Sequence, residues 1–201
     1  MMHADGLRIR RLSTHEVRDV YKQYLKNDFP RNERRPLGNI MSMRRQGQYV
    51  CYGVFSENRL AGYAFFIVLA PGGKRCCLLD YFAVLPALRG RRIGSLFLNR
   101  LERYMRTAER ILVEVEDPDR EKDPGKKAVQ ERRLSFYLKN GLCDTAVRVE
   151  TFGVPYRILE VPRSRKKADG AVQQNEIRSA YAAFYRTRLT KRAFDRYIHF
   201  V

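Results

Sequence analysis

The stretch that most constrains the fold of this chain runs from Leu78 to Leu101. Its first part, residues 78–84, is apolar and aromatic and is closed by Pro86, which is typical of a buried strand. A short basic loop follows this strand. Apolar residues then recur at helical spacing, at Ile93, Leu96, Phe97, Leu101, Tyr104 and Met105. The stretch therefore predicts a strand, a glycine-bearing turn and a helix.

The turn between this strand and this helix predicts a binding site for a diphosphate. The first backbone N–H groups of a helix lack intrahelical acceptors, and the helix dipole makes that end positive. Glycines let the backbone approach a bulky phosphate, and arginines add forked cationic donors. The predicted loop consists of Arg89, Gly90, Arg91, Arg92, Ile93, Gly94 and Ser95. It is neither a dinucleotide fingerprint nor a P-loop, because G-x-G-x-x-G and Gly-Lys-Ser/Thr are absent.

This loop resembles the coenzyme A loop of the GNAT acetyltransferases, Arg/Gln-x-x-Gly-x-Gly/Ala, with Arg89 in first place and Gly94 in last. The sequence departs from that pattern at the middle glycine, where Arg92 stands. The resemblance implies that the preceding strand binds the pantetheine of acetyl-CoA and polarises its thioester through Phe82, Ala83 and Val84. The alternative is an ordinary basic turn between a core strand and a core helix.

The order of predicted elements is also similar to the GNAT fold, β-α-α-β-β-β-α-β-α-β-β over residues 7–162. Ser13 and Glu16 predict a capping box at the first helix, and Asn140-Gly141 predicts the end of the last one. The predicted helices cover residues 33–45 and 129–139, with a loop over residues 117–127. We therefore expect an α/β fold with a mixed sheet, as a domain over residues 1–162 followed by a basic extension over residues 163–201.

Composition narrows the class of protein and its partners. Hydrophobic residues make up 44% of the chain and charged residues 31%, which is typical of a folded globular protein. The longest apolar run, residues 61–70, is too short to span a bilayer, and no signal-peptide pattern opens the chain. The four cysteines and three histidines lack metal-binding spacing, so we expect reduced thiols, no metal and a cytoplasmic location. The net charge of +18 favours an anionic partner and exceeds what coenzyme A needs.

Residues 163–201 hold ten Lys and Arg against three Asp and Glu. Residues 163–167 are a predicted basic linker, and the residues after them carry a helical apolar stripe at Ile177, Tyr181, Phe184, Tyr185 and Leu189. One interpretation is a C-terminal helix whose aromatic stripe packs on the domain. The other is an arm that binds RNA or another polyanion. Residues 194–201 are too short to assign to helix or strand.

The segment Ser135 to Gly141 resembles the Phe-Tyr-x-x-x-Gly-Phe segment of the same family, although Leu142 replaces its last aromatic residue. The resemblance implies that Tyr137 is the general acid that protonates the departing thiolate. A phenol suits that task because its pKa, about 10, lies close to that of a thiol. Packing in the core is the alternative role for Tyr137. The resemblance further implies that Gln130 contacts the cofactor.

Two carboxylates are candidates for the general base that takes the proton of the amine. Glu114 resembles the strand glutamate in the Leu-Glu-Val segment of ribosomal-protein N-terminal acetyltransferases. Asp80 stands three residues before Ala83, where serotonin acetyltransferase carries a histidine. Either side chain could instead pair with the basic surface, and a water relay could replace both. We prefer Glu114 by a narrow margin.

The sequence thus predicts an N-acetyltransferase that moves an acetyl group from acetyl-CoA to an amine of a small molecule or a protein. The alternative is a non-catalytic protein of the same fold that binds nucleic acid or another polyanion. Tyr137 and Glu114 favour the enzyme, whereas the missing loop glycine and the charge of +18 favour the alternative.

Overall fold

A computed structural model of the chain describes residues 6–70, 73, 75–162, 170–186 and 189–201. The chain divides into two compact units. The first unit comprises Met1–Val68 and Leu79–Arg106, and the second comprises Leu69–Leu78 and Thr107–Val201. The predicted domain boundary at residue 162 falls beside an undescribed segment and stays a prediction.

The first unit begins with a strand, continues with helical elements and three consecutive strands, and ends with a helix, as the sequence predicts. Its elements are β1 (Leu7–Arg11), α1 (Thr14–Val20), a π-helical turn (Tyr21–Leu25), α2 (Lys26–Asp28), a 3₁₀ turn (Arg31–Glu33), α3 (Leu37–Arg45), β2 (Tyr49–Ser56), β3 (Arg59–Leu69), β4 (Cys76–Val84), a second 3₁₀ turn (Pro86–Leu88) and α4 (Ile93–Tyr104). The strands lie in the order β1-β2-β3-β4, with β1, β2 and β3 antiparallel. The first three residues of β4 belong to the second unit.

The second unit holds β5 (Arg110–Glu116), a 3₁₀ turn (Pro118–Arg120), α5 (Pro124–Lys139), β6 (Cys143–Thr151), β7 (Val154–Glu160), α6 (Gly170–Arg186), α7 (Lys191–Tyr197) and β8 (Ile198–Phe200). Its strands lie in the order β5-β7-β6-β8 and pair antiparallel. The chain therefore has the mixed α/β fold that the sequence predicts.

Local signals predicted some helix ends correctly and missed others. The capping box is present, because Ser13 Oγ accepts from the N–H of Glu16 while the Glu16 carboxylate accepts from the N–H of Ser13. The predicted end at Gly141 is also present, with φ of +87° in the left-handed region. The helix predicted from residue 33 starts instead at Leu37, because Pro36 favours extended backbone in the residue before it.

The helix predicted to start at residue 129 begins at Pro124. The side chain of Asp123 accepts a hydrogen bond from the N–H of Lys126 at 2.8 Å, and Pro124 occupies the first helical position. An N-terminal Asp cap followed by proline is a standard start signal, so part of the region predicted as loop is helix.

The described part of the C-terminal segment packs through its apolar stripe. Ile177 and Tyr181 are fully buried and Phe184 is 1% exposed, while Tyr185 and Leu189 are half-buried. Residues 194–200 form the end of α7 and the strand β8, which pairs with β6. This arrangement fits the docked-helix interpretation. The predicted basic linker, residues 163–167, lies outside the described residues.

Candidate functional site

The predicted diphosphate loop has the strand–turn–helix conformation that the sequence indicates. Strand β4 ends at Val84, the 3₁₀ turn covers Pro86–Leu88, and α4 starts at Ile93. Gly90 has φ of +77°, and no atom lies within 4 Å of the position that a side-chain carbon would take there, so its backbone is open to an incoming group. The turn therefore uses a glycine where the backbone is left-handed.

Arg92 stands where the GNAT pattern has its middle glycine, and the backbone there keeps the conformation that glycine favours. Its φ is +60°, in the left-handed region. That conformation costs a residue with a side chain about 1 kcal/mol or more. Arg92 therefore has a different side chain from the motif residue but adopts a backbone conformation that glycine adopts readily.

The start of α4 is anchored by apolar residues and leaves its polar side accessible. Ile93 is 2% exposed and Phe97 is fully buried, whereas Gly94 and Ser95 are half-buried. The N–H of Leu96 donates to the carbonyl of Arg92 at 3.0 Å, which is the first bond of the helical ladder. The amides of residues 93–95 precede that bond and carry the positive end of the helix dipole. The side chains of Arg91 and Arg92 are exposed beside them.

Arg89, the first residue of the predicted loop, braces the turn. Its Nε donates to the carbonyl of Val84 at 3.0 Å, and its Nη2 donates to Asp28 Oδ1 at 3.1 Å. The same Asp28 carboxylate accepts from the hydroxyl of Tyr63 at 2.7 Å. More than half of the Arg89 side chain is still exposed, at 57%, so part of its guanidinium faces solvent.

The end of β4 is held against β3 by a close backbone approach at Gly62. A side-chain carbon at Gly62 would lie 2.6 Å from the carbonyl oxygen of Ala83, so only glycine fits there. The N–H of Leu85 donates to the carbonyl of Ala61 at 2.9 Å. Ala83 is buried, while Phe82 and Val84 are half-buried. Phe82 stacks on Phe97 of α4 with ring centroids 5.4 Å apart, which ties the strand to the helix that follows it.

Asp80, one of the two candidate bases, is paired with a permanent cation. Arg35 Nε lies 3.1 Å from Asp80 Oδ2 and Arg35 Nη2 lies 3.1 Å from Oδ1, a forked two-point contact. The hydroxyl of Tyr49 also donates to Oδ2. Burial and the Asp80 charge raise the pKa of Tyr49 well above its ordinary value, so this donor stays protonated. Both Asp80 oxygens are thus engaged by groups of the first unit.

Glu114, the preferred base, lies on β5 and accepts from neutral donors. The hydroxyls of Tyr181 and Tyr185 both donate to Glu114 Oε1, the second of them at 2.7 Å. Both tyrosines come from α6, one helical turn apart. The sequence predicts that they share an apolar stripe, but it does not predict that their hydroxyls meet this carboxylate. The sequence gives one indication of this contact, because two tyrosines stand four residues apart on a helical stripe that is otherwise apolar.

Tyr137 and Gln130 lie seven residues apart on α5, and both face inward. Tyr137 is 7% exposed, and burial raises the pKa of its phenol to about 12. Gln130 is 7% exposed and its Nε2 donates to Glu121 Oε2 at 3.2 Å. Within the described residues, Gln130 Oε1 is buried without a hydrogen-bond partner. A buried acceptor of that kind fits an N–H or hydroxyl donor on a bound molecule, such as those of pantetheine.

Metal-binding clusters and membrane-spanning helices are both missing from the described ranges. These ranges contain no group of three or more His, Cys, Asp and Glu side chains that could hold a metal ion. None of their helices is long and apolar enough to cross a membrane.

Comparison with known families identifies the class of protein. The sequence model of the Acetyltransferase (GNAT) family matches residues 14–122, which is more than half of the chain. This chain therefore belongs to the GNAT acetyltransferase family. A comparison with curated protein sequences finds no significant match.

Solved structures show the same fold at low sequence identity. A protein assigned to the GNAT acetyltransferases from Bacteroides thetaiotaomicron is 20% identical, with 86% of this chain and 94% of that chain covered and a TM-score of 0.64. The ribosomal-protein-S18-alanine N-acetyltransferase of Escherichia coli is 15% identical, with coverages of 81% and 97% and a TM-score of 0.57. The spermidine N-acetyltransferase of Vibrio cholerae, solved with CoA and spermine, is 14% identical, with coverages of 78% and 95% and a TM-score of 0.58.

Proposed function

We propose that this protein is an N-acetyltransferase that transfers the acetyl group of acetyl-CoA to a primary amine. The observation that carries the proposal is the turn before α4, where Gly90 and Arg92 adopt left-handed backbone and precede a helix start flanked by exposed arginines. This conformation persists although Arg92 replaces the motif glycine. Membership of the GNAT family supplies the class of reaction.

The proposed contacts match the hydrogen-bonding capacity and charge of each protein group to a part of acetyl-CoA. The amides of Ile93, Gly94 and Ser95 donate to the diphosphate, and the guanidiniums of Arg91 and Arg92 add charge. Arg89 mainly braces the loop and contributes the exposed part of its guanidinium. The backbone of residues 82–84 binds the pantetheine. Gln130 contributes its unpaired Oε1 as a hydrogen-bond acceptor.

The proposed reaction needs one base and one acid. The amine nitrogen attacks the thioester carbonyl carbon, the new C–N bond forms and the C–S bond breaks. Glu114 takes the proton that the amine loses, directly or through a water, and Tyr137 donates its proton to the departing thiolate. Tyr137 suits this role because burial raises the pKa of its phenol, so it stays protonated at neutral pH.

The contacts of the two candidate carboxylates favour Glu114 as the general base. Asp80 would have to give up a forked contact with the Arg35 guanidinium before it could accept a proton. The two tyrosine hydroxyls that donate to Glu114 are neutral, and they stabilise a carboxylate without neutralising it. We therefore assign Asp80 to holding Arg35 and Glu114 to proton transfer.

The charge of the chain narrows the class of acceptor. Spermidine and a ribosomal protein are named as the acceptors of two structural relatives. A net charge of +18 repels a free polyamine and attracts an amine carried on an anionic molecule or on a protein bound to RNA. We propose that the acceptor amine is carried on an anionic molecule or on a protein bound to RNA.

The test has two parts. Acetyl-CoA at about a hundredfold excess over its Kd should stabilise the protein by about 3 kcal/mol in a thermal-shift measurement. Thiol release should then be measured with spermine, with free amino acids and with short acidic peptides that carry a free amino terminus. The charge-removing double variant R91Q/R92Q should weaken acetyl-CoA binding, whereas R8Q on the exposed edge of β1 serves as the matched control. No stabilisation at millimolar acetyl-CoA would refute the proposed function.

A further inference from the structure

The C-terminal helix α6 supplies the two hydroxyls that contact Glu114. Tyr181 and Tyr185 lie 67 and 71 residues from Glu114 in the chain, and both lie outside the region matched by the family model. Their hydroxyls donate to the same carboxylate oxygen, Oε1. The proposed base is therefore contacted by a part of the chain that the family pattern does not cover.

These hydroxyls belong to a small hydrogen-bonded cluster. Tyr181 Oη lies 2.9 Å from Thr151 Oγ1 on β6 and 3.4 Å from Tyr185 Oη. The two rings pack at 5.2 Å between centroids, and the Tyr181 ring also meets Phe200 of β8 edge-on at 5.9 Å. Each of the two tyrosine hydroxyls therefore contacts at least two other polar groups.

The helix that carries the tyrosines is itself fixed in place. Arg110 Nη1 lies 2.8 Å from Glu160 Oε1, and Arg110 also pairs with Glu176 of α6. Tyr181 is fully buried, between Ile177 and Phe184 on the same stripe. Burial and the nearby Glu114 charge raise the pKa of both tyrosines well above the ordinary value, so both hydroxyls remain donors at neutral pH.

The other charged and titratable groups on this face have partners of their own. By the alternation of a strand, Arg110 and Glu116 share the face of β5 that carries Glu114. Arg133 Nη1 of α5 lies 2.9 Å from Glu116 Oε2. On β7 the titratable residues of that face are Tyr156 and Glu160, opposite Glu116 and Leu112, while Ile158 lies opposite Glu114 itself.

We propose that Tyr181 and Tyr185 are positioning residues for Glu114, which hold it as a carboxylate in one orientation for proton transfer. The inference rests on the proposed function and adds the C-terminal helix to the machinery of that reaction. A half-buried carboxylate without donors would tend to keep its own proton. Two neutral hydroxyls that donate to the anion stabilise it and fix the position of Oε1.

The experiment measures kcat/KM against pH, using acetyl-CoA with the amine acceptor that gives the highest rate in the thiol-release panel. The variants are Y181F, Y185F, the double variant and E114Q, with Y197F on α7 as the matched control. Loss of both hydroxyls should move the acid limb of the profile up by about one pH unit, because a donor to the charged form lowers the pKa of a carboxyl. The rate at pH 7 should fall by about tenfold or more, since one hydrogen bond to a charged group contributes about that factor and two are lost.

Both the KM for acetyl-CoA and the Y197F profile should stay within about twofold of the parent values, a difference well below the energy of one hydrogen bond. A purely structural role would lower the melting temperature and leave the acid limb where it is, which would overturn the inference. Y185F, at the less buried position, provides the same test if the double variant does not fold. E114Q retaining the parent rate would also overturn it. An unmoved acid limb would leave the proposed function intact, and E114Q at the parent rate would remove only its assignment of Glu114 as the base. A parent protein that binds no acetyl-CoA would refute both proposals.

Discussion

Arg89 and Asp28 form an ion pair across 61 residues of sequence, with Arg89 Nη2 3.1 Å from Asp28 Oδ1. The Asp28 side chain is only 9% exposed and also accepts from the Tyr63 hydroxyl at 2.7 Å. The loop that we propose binds acetyl-CoA is therefore tied, through its first arginine, to a nearly buried carboxylate at the end of α2.

Replacing that carboxylate should loosen the loop. Asp28→Asn should lower the free energy of unfolding by about 1–2 kcal/mol, because the amide cannot match a charged hydrogen bond to Arg89. It should also weaken acetyl-CoA binding, measured by calorimetry. Asp19→Asn, which removes an exposed carboxylate paired with His15, is the matched control and should change neither quantity appreciably. Unchanged acetyl-CoA affinity in Asp28→Asn would show that the loop holds its shape without this pair.

The left-handed backbone at Arg92 predicts that glycine stabilises this position. Arg92→Gly should raise the free energy of unfolding by about 1 kcal/mol, because glycine adopts φ near +60° without the clash of a side chain. Arg91→Gly, one residue earlier and outside the left-handed region, should instead destabilise by about 0.5–1 kcal/mol through the entropy of the unfolded chain. Chemical denaturation of both variants tests the contrast. Equal changes in the two would contradict it.

Removal of the proposed acid should slow turnover and spare binding. Tyr137→Phe should lower kcat by on the order of a hundredfold or more, because the thiolate would leave without a proton donor. Its Kd for acetyl-CoA should change little. Since burial raises the pKa of Tyr137 to about 12, the parent enzyme should show no loss of rate from this group between pH 7 and 10. Tyr104→Phe, at an exposed tyrosine, is the control, and a kcat for Tyr137→Phe within twofold of it would make Tyr137 a packing residue.

The capping box should contribute a pH-dependent part of the stability. The Arg10 side chain donates to Glu16 and, with Ser13, lowers the pKa of that carboxyl from 4.5 to about 2. A carboxyl with a lowered folded-state pKa stabilises the fold above pH 4.5, and that contribution is lost as the pH falls from 4.5 towards 2. Glu16→Gln should therefore flatten the curve of unfolding free energy against pH in that window. Glu16 is about one-third exposed, so the effect should be below about 1 kcal/mol.

We expect the C-terminal segment, residues 163–201, to stabilise the fold and to bind RNA weakly. Phe184→Ala should lower the free energy of unfolding by about 3–5 kcal/mol, because this ring is almost fully buried. Arg178, Arg186 and Arg196 lie over Phe200, Phe194 and Tyr197, at 5.6, 4.9 and 5.3 Å from the ring centroids. Those rings are covered within the segment itself and are poorly placed to stack on bases.

A salt titration with single-stranded RNA distinguishes the two interpretations of this segment. We expect negligible binding at about 150 mM salt, where charges are strongly screened. An RNA-binding arm would instead give an affinity that falls by roughly 0.7 log units per phosphate contact for each log unit of salt. A steep slope that disappears in a chain truncated after Val161 would support the arm.

Residues close together in sequence determined much of this protein. The strand, turn and helix from β4 to α4, the Ser13–Glu16 capping box and the apolar stripe of α6 all follow from periodicity and local hydrogen bonding. These patterns involve residues a few positions apart, so their partners are already set by the geometry of one helix or one strand. The residue type at Arg92 departs from the motif, yet its backbone is left-handed, a conformation that favours glycine.

The tertiary structure alone decided which side chains the candidate catalytic groups contact. Asp80 meets Arg35, Arg89 meets Asp28, and Glu114 meets Tyr181 and Tyr185, over separations of 45 to 71 residues. The sequence does not identify the partner of a carboxylate, because many arginines and tyrosines in the chain can donate a hydrogen bond to it equally well. Packing selects among them by bringing distant elements together, and it places an arginine beside Asp80 and two tyrosine hydroxyls beside Glu114.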